Sequence, residues 1–350
     1  MSIKTLEEYT PTNYFYNIKD KLQSYVYKRA DRLFREAEKA RENISIKEEF
    51  ESYIEEKRKK FIDSMGGIPY DGDRPLNART TGITEEENLI IENVIYEARE
   101  NVYVTANLYI PKKRKTPCGA VLFQCGHSND GKFYPQYQKA AKIIANSGVI
   151  VLVQDPQGQG ERANYYEPSI GATMIETTCP DHQHSGIQCY MIGDSPIRYF
   201  IADAMRSIDY LMSRPEVDKE KIGLTGNFGG GTMTVNTAIC DKRIAAAAPG
   251  TFVMTREAYM KAGGTQDAEQ IWLSCAEYGF DHHEALMCAA SKHYLILAVD
   301  YDAFPIEGTE EVYNDVKRFW GMYGKGDNLR MFTDASVHCY TEKLARETNY

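Results

Sequence analysis

Residues 226–231 read Gly-Asn-Phe-Gly-Gly-Gly, directly after the apolar run 221–225 and ahead of the helix-like stretch 232–239. Glycines two positions before and two positions after a central residue, between a strand and a helix, are the pattern of a nucleophile elbow, G-x-S-x-G. Small residues are needed there because the turn brings the backbone and the incoming helix too close for side chains. The central residue is strained by about 1–3 kcal/mol and carries its side chain up into a pocket. In this chain the central residue is Phe228, so a benzyl group stands where chemistry needs an oxygen. Further along, Asp302 lies just beyond the apolar run 294–300, and His338 follows the last β-like run, near 328–334. Elbow, then acid, then histidine is a chain order that can deliver a proton relay, with the carboxylate orienting the imidazole.

Other nucleophile candidates have ordinary structural explanations. Cys125 ends a strand beside Gly126, Ser195 opens a helix, and Cys339 follows His338 in sequence without thereby pointing the same way in space. Cys179-Pro180-Asp181-His182-Gln183-His184 has a flavour of metal ligation, with His182 and His184 two apart, but it reads better as a structural loop near the mouth of the site. His282-His283, after Asp281, reads as the surface of an insertion. No metal is expected. The elbow glycines do not match a P-loop or dinucleotide motif, so no nucleotide cofactor is expected.

Covalent acyl transfer requires a nucleophile whose proton passes to the histidine. Phe228 can neither attack nor hydrogen-bond, and its ring fills the volume where an ester carbonyl would rest. Three readings stay open: an ester-hydrolase scaffold with its nucleophile lost, a repurposed site in which the His338/Asp302 pair acts as general base without a covalent intermediate, and a non-catalytic ligand-binding or scaffolding protein.

Several elements must position these residues. From 13 to about 65, apolar residues recur every three to four positions in a Glu/Lys/Arg/Ala-rich background, which predicts two or three amphipathic helices. Gly66-Gly67-Ile68-Pro69 breaks that pattern, and 71–80 reads as loop. Two alternating runs around Arg99-Glu100 predict an antiparallel strand pair. Short apolar runs at 119–124, 149–154, 221–226, 243–250, 294–300 and near 328–334 then alternate with helical stretches at about 134–147, 195–213, 229–241 and 308–323. That alternation predicts a doubly wound, mostly parallel α/β sheet, whose ligands bind at the carboxyl ends of the strands. Residues 1–85 are expected to form a helical extension packed on a core domain, 86–350, with 251–290 as a partial lid.

Over about residues 90–345 the chain resembles the acetyl-xylan-esterase-like branch of the α/β-hydrolase superfamily, relatives of dienelactone hydrolase and of prolyl-oligopeptidase-type catalytic domains. The residues carrying the resemblance are 126–132 (Gly-His-Ser-Asn-Asp-Gly-Lys), 155–162 (Asp-Pro-Gln-Gly-Gln-Gly-Glu-Arg), the elbow, 256–259, 266–270 (Gln-Asp-Ala-Glu-Gln) and 301–308. In that family the elbow reads G-N-S-G-G-G, so one residue separates this chain from the pattern. The resemblance implies an oxyanion hole built from the backbone N–H near His127 or Ser128 and that of Gly229, groups that do not depend on the residue-228 side chain. The His127 ring is expected to be structural. The resemblance also implies a small-molecule ester or acetylated sugar as substrate or ligand.

Composition narrows the partners. Net charge is −9 at pH 7 with only short Lys/Arg clusters, which argues against nucleic acid or an anionic membrane. No apolar stretch reaches the length of a membrane span, and no signal-peptide pattern opens the chain, so a cytoplasmic location is expected. Eight scattered cysteines without C-x-x-C pairs read as reduced thiols. Self-association remains open.

Overall fold

A computed structural model of the chain describes residues 20–348. Its main sheet has nine strands: β1 Arg79–Glu85, β2 Leu89–Arg99, β3 Val102–Pro111, β4 Cys118–Gln124, β5 Ile150–Gln154, β6 Val217–Asn227, β7 Ile244–Gly250, β8 His293–Tyr301 and β9 Leu329–Val337. Their spatial order is β1-β2-β3-β5-β4-β6-β7-β8-β9. The first three strands and the β3/β5 pair are antiparallel, and every pair from β5 to β9 is parallel. The central strands are apolar on both faces because helices cover both: Ile150, Val151, Leu152 and Val153 are all fully buried.

The helices are α1 Lys21–Glu42, α2 Lys47–Ser64, α3 Pro135–Ala145, α4 Cys179–Met191, α5 Ile197–Ser213, α6 Gly229–Cys240, α7 Arg256–Lys261, α8 His282–Met287, α9 Ile306–Gly321 and α10 Glu342–Glu347. α1 buries Ala30, Phe34, Ala37 and Arg41, and α2 buries Phe50, Ile54, Lys57 and Phe61. Spacings of four, three and four put each set on one stripe, the periodicity visible in the sequence. The stripes dock on the core: Phe50 stacks on Phe319 of α9 at 4.7 Å, and Phe61 sits against Trp272 at 4.7 Å and Phe280 at 5.4 Å. Residues 13–19 of the expected helical region lie outside the described residues.

Three expectations are corrected. Residues 79–85, partly read as loop, form β1, an edge strand whose seven side chains are almost all exposed and so carry no hydrophobic alternation. Residues 179–184, read as a loop, open α4, with Pro180 in its first turn. The excursion 251–290 is tightly packed: Phe252, Val253, Met254, Trp272 and Phe280 are core residues, and His282 and His283 are buried, not part of a lid surface. Among the described residues no helix is long and apolar enough to cross a membrane.

The register gathers the expected site at one edge. Gln124 pairs with both Gln154 and Gly226, Asn227 with Gly250, and Tyr301 with Val337. The carboxyl ends of β4 to β9 therefore lie side by side, and the loops leaving them carry His127, Phe228, Asp302 and His338.

Candidate active site

β6 runs into α6 through Phe228, whose backbone has φ 53° and ψ −110°. A bulky non-glycine residue with positive φ is uncommon and strained. Here it is held by its own N–H donating to Gly250 O (3.1 Å) and by its carbonyl accepting from Thr232 N–H (2.8 Å). The flanking glycines are a steric requirement: a Cβ on Gly226 would lie 2.4 Å from Gln124 O, and one on Gly230 would lie 1.8 Å from the same atom. The turn thus has the elbow geometry with an aromatic ring at its apex. That ring stands edge-on to the imidazoles of His127 (centroids 4.4 Å) and His338 (5.0 Å) and tilted against Phe304 (5.6 Å).

Asp302 and His338, 36 residues apart, meet as the order of elements implied: His338 Nδ1 lies 2.7 Å from Asp302 Oδ1. Asp302 is buried at its carboxylate and also accepts the Phe304 N–H at 3.1 Å, while the His338 ring stays about one-third exposed. A buried carboxylate on Nδ1 fixes the tautomer with the proton on that nitrogen and leaves Nε2 as the acceptor.

The loop after β4 is fastened by the segment 155–162. Gln159 Nε2 donates to Gly126 O (2.8 Å) and Ser128 O (3.3 Å). Asp155 accepts from Lys132 N–H and Thr105 Oγ1, both at 2.7 Å, and its carboxylate pairs with the Lys132 ammonium. Asp203 of α5 holds this segment in turn, accepting from Arg99 (2.7 Å), Arg162 (2.7 Å) and Gln157 (2.9 Å). Burial alone would raise the Asp203 carboxyl, but Arg162 and Arg99 more than reverse that and hold it low.

The His127 side chain, beside the Phe228 ring, also joins a group that sequence reasoning missed. His127 Nε2 lies 3.0 Å from Glu269 and 3.1 Å from Asp267, and His182 Nδ1 lies 2.9 Å from Asp267. Burial opposes protonation of His127, yet Glu269 and Asp267 raise its pKa well above the usual value; the same contest leaves His182 at about 10. Burial would raise Asp267, but His127 and His182 reverse this and lower it. Its residues lie in three segments with sequence signatures of their own, 126–132, 179–184 and 266–270. His184, two residues from His182 on α4, faces out, so those two histidines do not share a site.

The remaining candidates stand apart. Cys125 is buried at the end of β4, which pushes its thiol well above the usual range. Ser195 is buried ahead of α5, and Cys339 Sγ contacts Ser336 Oγ at 3.6 Å. His282 accepts the Met254 N–H at 3.3 Å, and burial, aided by Arg256 and His283, lowers its pKa well below the usual value. The unfolded chain takes up a proton below about pH 6.5 that folded His282 refuses. Its contribution to stability is therefore complete above about pH 6.5 and declines as pH falls toward the folded value, by up to about 1.4 kcal/mol per pH unit. Urea unfolding of the parent and of His282→Gln at pH 7.5 and 5.5 should show a smaller acid loss in the variant; equal losses would remove His282 from the pH dependence.

A mostly parallel sheet with an elbow, an acid and a histidine at its carboxyl edge defines an α/β-hydrolase fold. Residues 82–268, just over half of the chain, match the family model described as acetyl xylan esterase (AXE1), and the chain belongs to that family. It is 25% identical over 307 residues to "Putative hydrolase YtaP" of Bacillus subtilis (strain 168), covering 83% of this chain and 96% of that one. Among solved structures it is similar to Methylesterase BT1017 (TM-score 0.68, 18% identity, 91% of this chain and 66% of that one). It is also similar to a glucuronoyl esterase from Solibacter usitatus (TM-score 0.59, 14% identity, 83% and 91%).

Proposed function

We propose that the chain binds small carboxylic esters, with acetylated sugars the favoured class, and hydrolyses them without an acyl-enzyme, using His338 as general base on water. The observation that carries this reading is the intact His338–Asp302 pair beside Phe228. In this mechanism Asp302 accepts from Nδ1–H, leaving Nε2 to take a proton from a water that attacks the ester carbonyl carbon. The resulting oxyanion is stabilised by the backbone N–H of Gly229 and that of His127 or Ser128. Collapse breaks the acyl–oxygen bond, and the departing alkoxide takes back the proton from His338. Phe228 supplies an apolar face for the acyl group. Eight unpaired thiols suit a cytoplasmic setting.

A second reading, ligand binding without turnover, draws on the Phe228 ring filling the nucleophile's place against Phe304 and His338. Hydrolysis of p-nitrophenyl acetate separates the two. Turnover is expected to fall about 100-fold or more in His338→Ala, in line with the contribution of a positioned base, with the melting temperature nearly unchanged. Parent activity unaffected by His338→Ala would eliminate the base role, and an inert parent that still binds ester would leave the second reading.

A further inference from the structure

We propose that His127, His182, Asp267 and Glu269 form a binding site for one divalent transition-metal ion, with zinc(II) the best match. The four come from three separate segments: the loop after β4, α4, and the excursion between β7 and β8. One ligand atom from each lies within 4.8 Å of all the others. The nearest separations are 2.9 Å (His182 Nδ1 to Asp267 Oδ2), 3.0 Å (His127 Nε2 to Glu269 Oε1) and 3.1 Å (His127 Nε2 to Asp267 Oδ2), with 3.6 Å from His182 Nδ1 to Glu269 Oε2. Ligand atoms about 2.0–2.1 Å from a tetrahedral zinc stand about 3.3–3.4 Å from one another, in the middle of this range.

An independent observation points the same way. Both ring nitrogens of His127 and both carboxylate oxygens of Glu269 are buried without a hydrogen-bond partner, although the His127–Glu269 contact is short enough for one. The contact has the distance of a hydrogen bond without its direction, as two ligands aimed at a common third atom would have. Buried polar groups are rarely left so. Glu269 is 1% exposed at its side chain and His127 8%. Two buried carboxylates also bring two negative charges, and among the described residues only these two imidazoles lie within ion-pair reach of them. A dication that displaces the two imidazole protons neutralises the pair in their place.

The surroundings are those of a ligand set. His182 Nε2 lies 2.9 Å from Gln157 O, which commits that nitrogen's proton to the carbonyl and leaves Nδ1, paired with Asp267 at 2.9 Å, as the nitrogen whose proton a metal would displace. A ring N–H given to a backbone carbonyl is the usual support of a metal-bound histidine. Asp267 is steadied by the Ala268 N–H on its other oxygen at 2.7 Å. Four buried protein ligands with no open position describe a closed, structural centre. Such a centre ties the loop of His127, α4 and the excursion together behind Phe228. The second group with metal-ligand spacing, His283 with Glu311 and Asp315, has two exposed carboxylates and one imidazole and lacks this enclosure.

The test is to strip the full chain with a chelator, desalt it, and titrate it with zinc(II), and separately with cobalt(II). About one zinc per chain should be retained through desalting, measured by plasma mass spectrometry, and cobalt(II) should develop the visible absorption of a four-coordinate ion. His182→Ala and the near-isosteric Glu269→Gln, each checked for fold by circular dichroism, should weaken binding by more than the roughly 10–100-fold that loss of a supporting residue costs. His184→Ala, on the exposed side of α4, should bind as the parent does. A parent that retains neither metal at micromolar concentration overturns the proposal without reference to any variant. Equal binding by the parent and a folded Glu269→Gln or His182→Ala overturns this ligand set.

Discussion

Phe228→Ser is expected to raise hydrolysis of p-nitrophenyl acetate about 10³-fold over the parent, and the gain should vanish in the Phe228→Ser/His338→Ala double variant. The elbow already holds residue 228 at φ 53°, with the glycines that permit the turn in place, so the substitution asks nothing new of the backbone. The ring centroid of Phe228 is 5.0 Å from that of His338, so the side chain at 228 already faces the imidazole. Replacing the ring with a hydroxymethyl group puts a hydroxyl within reach of Nε2, directly or through one water. Loss of the nucleophile in a complete triad costs about 10⁶ in rate, while oxyanion hole and binding alone retain about 10³–10⁴ over water. A general base on water recovers part of the difference, which sets the expected gain. Steady-state kinetics of the parent, Phe228→Ser and the double variant at one pH measure it. No gain in a folded Phe228→Ser chain would mean that the elbow no longer faces a working ester site.

Asp203→Ala is expected to cost about 3–5 kcal/mol, because it leaves the largely buried Arg162 guanidinium and the half-buried Arg99 guanidinium without their shared partner. Arg99 and Arg162 both end on this carboxylate, which is only 2% exposed. The effect should spread to the site. Asp203 holds Gln157 and Arg162, and the segment they flank holds the carbonyls of Gly126 and Ser128 through Gln159. Urea unfolding should show the loss, and a stability change below about 1 kcal/mol would mean that water replaces the carboxylate readily. Asp203→Asn, which keeps an acceptor and loses the charge, should fall between.

The parts of this molecule that were legible in the sequence are those with a local signature. The elbow announced itself by glycine spacing, and Asp302 and His338 by their places after β8 and β9, because each sits within a few residues of the strand that positions it. The stripes of α1 and α2 were legible for the same reason. β1 was not: an exposed edge strand is specified by its partner β2 and not by its own alternation. α4 was obscured by its polar opening, although Pro180 in the first turn was a start signal. His282 and His283 read as surface because their burial depends on how the whole excursion packs. The cluster of His127, His182, Asp267 and Glu269 was illegible as a cluster, since no spacing rule links residues brought together only by the sheet.

The most direct test of a hydrolase site lacking its own nucleophile is intact-protein mass spectrometry after treatment with a fluorophosphonate, which marks activated serines covalently. The parent should remain unmodified, while Phe228→Ser should gain one adduct per chain, abolished by His338→Ala. An adduct on the parent would contradict this, since another side chain would then be the activated nucleophile. An unmodified Phe228→Ser chain would equally contradict it, by showing that His338 and Asp302 no longer activate the elbow position.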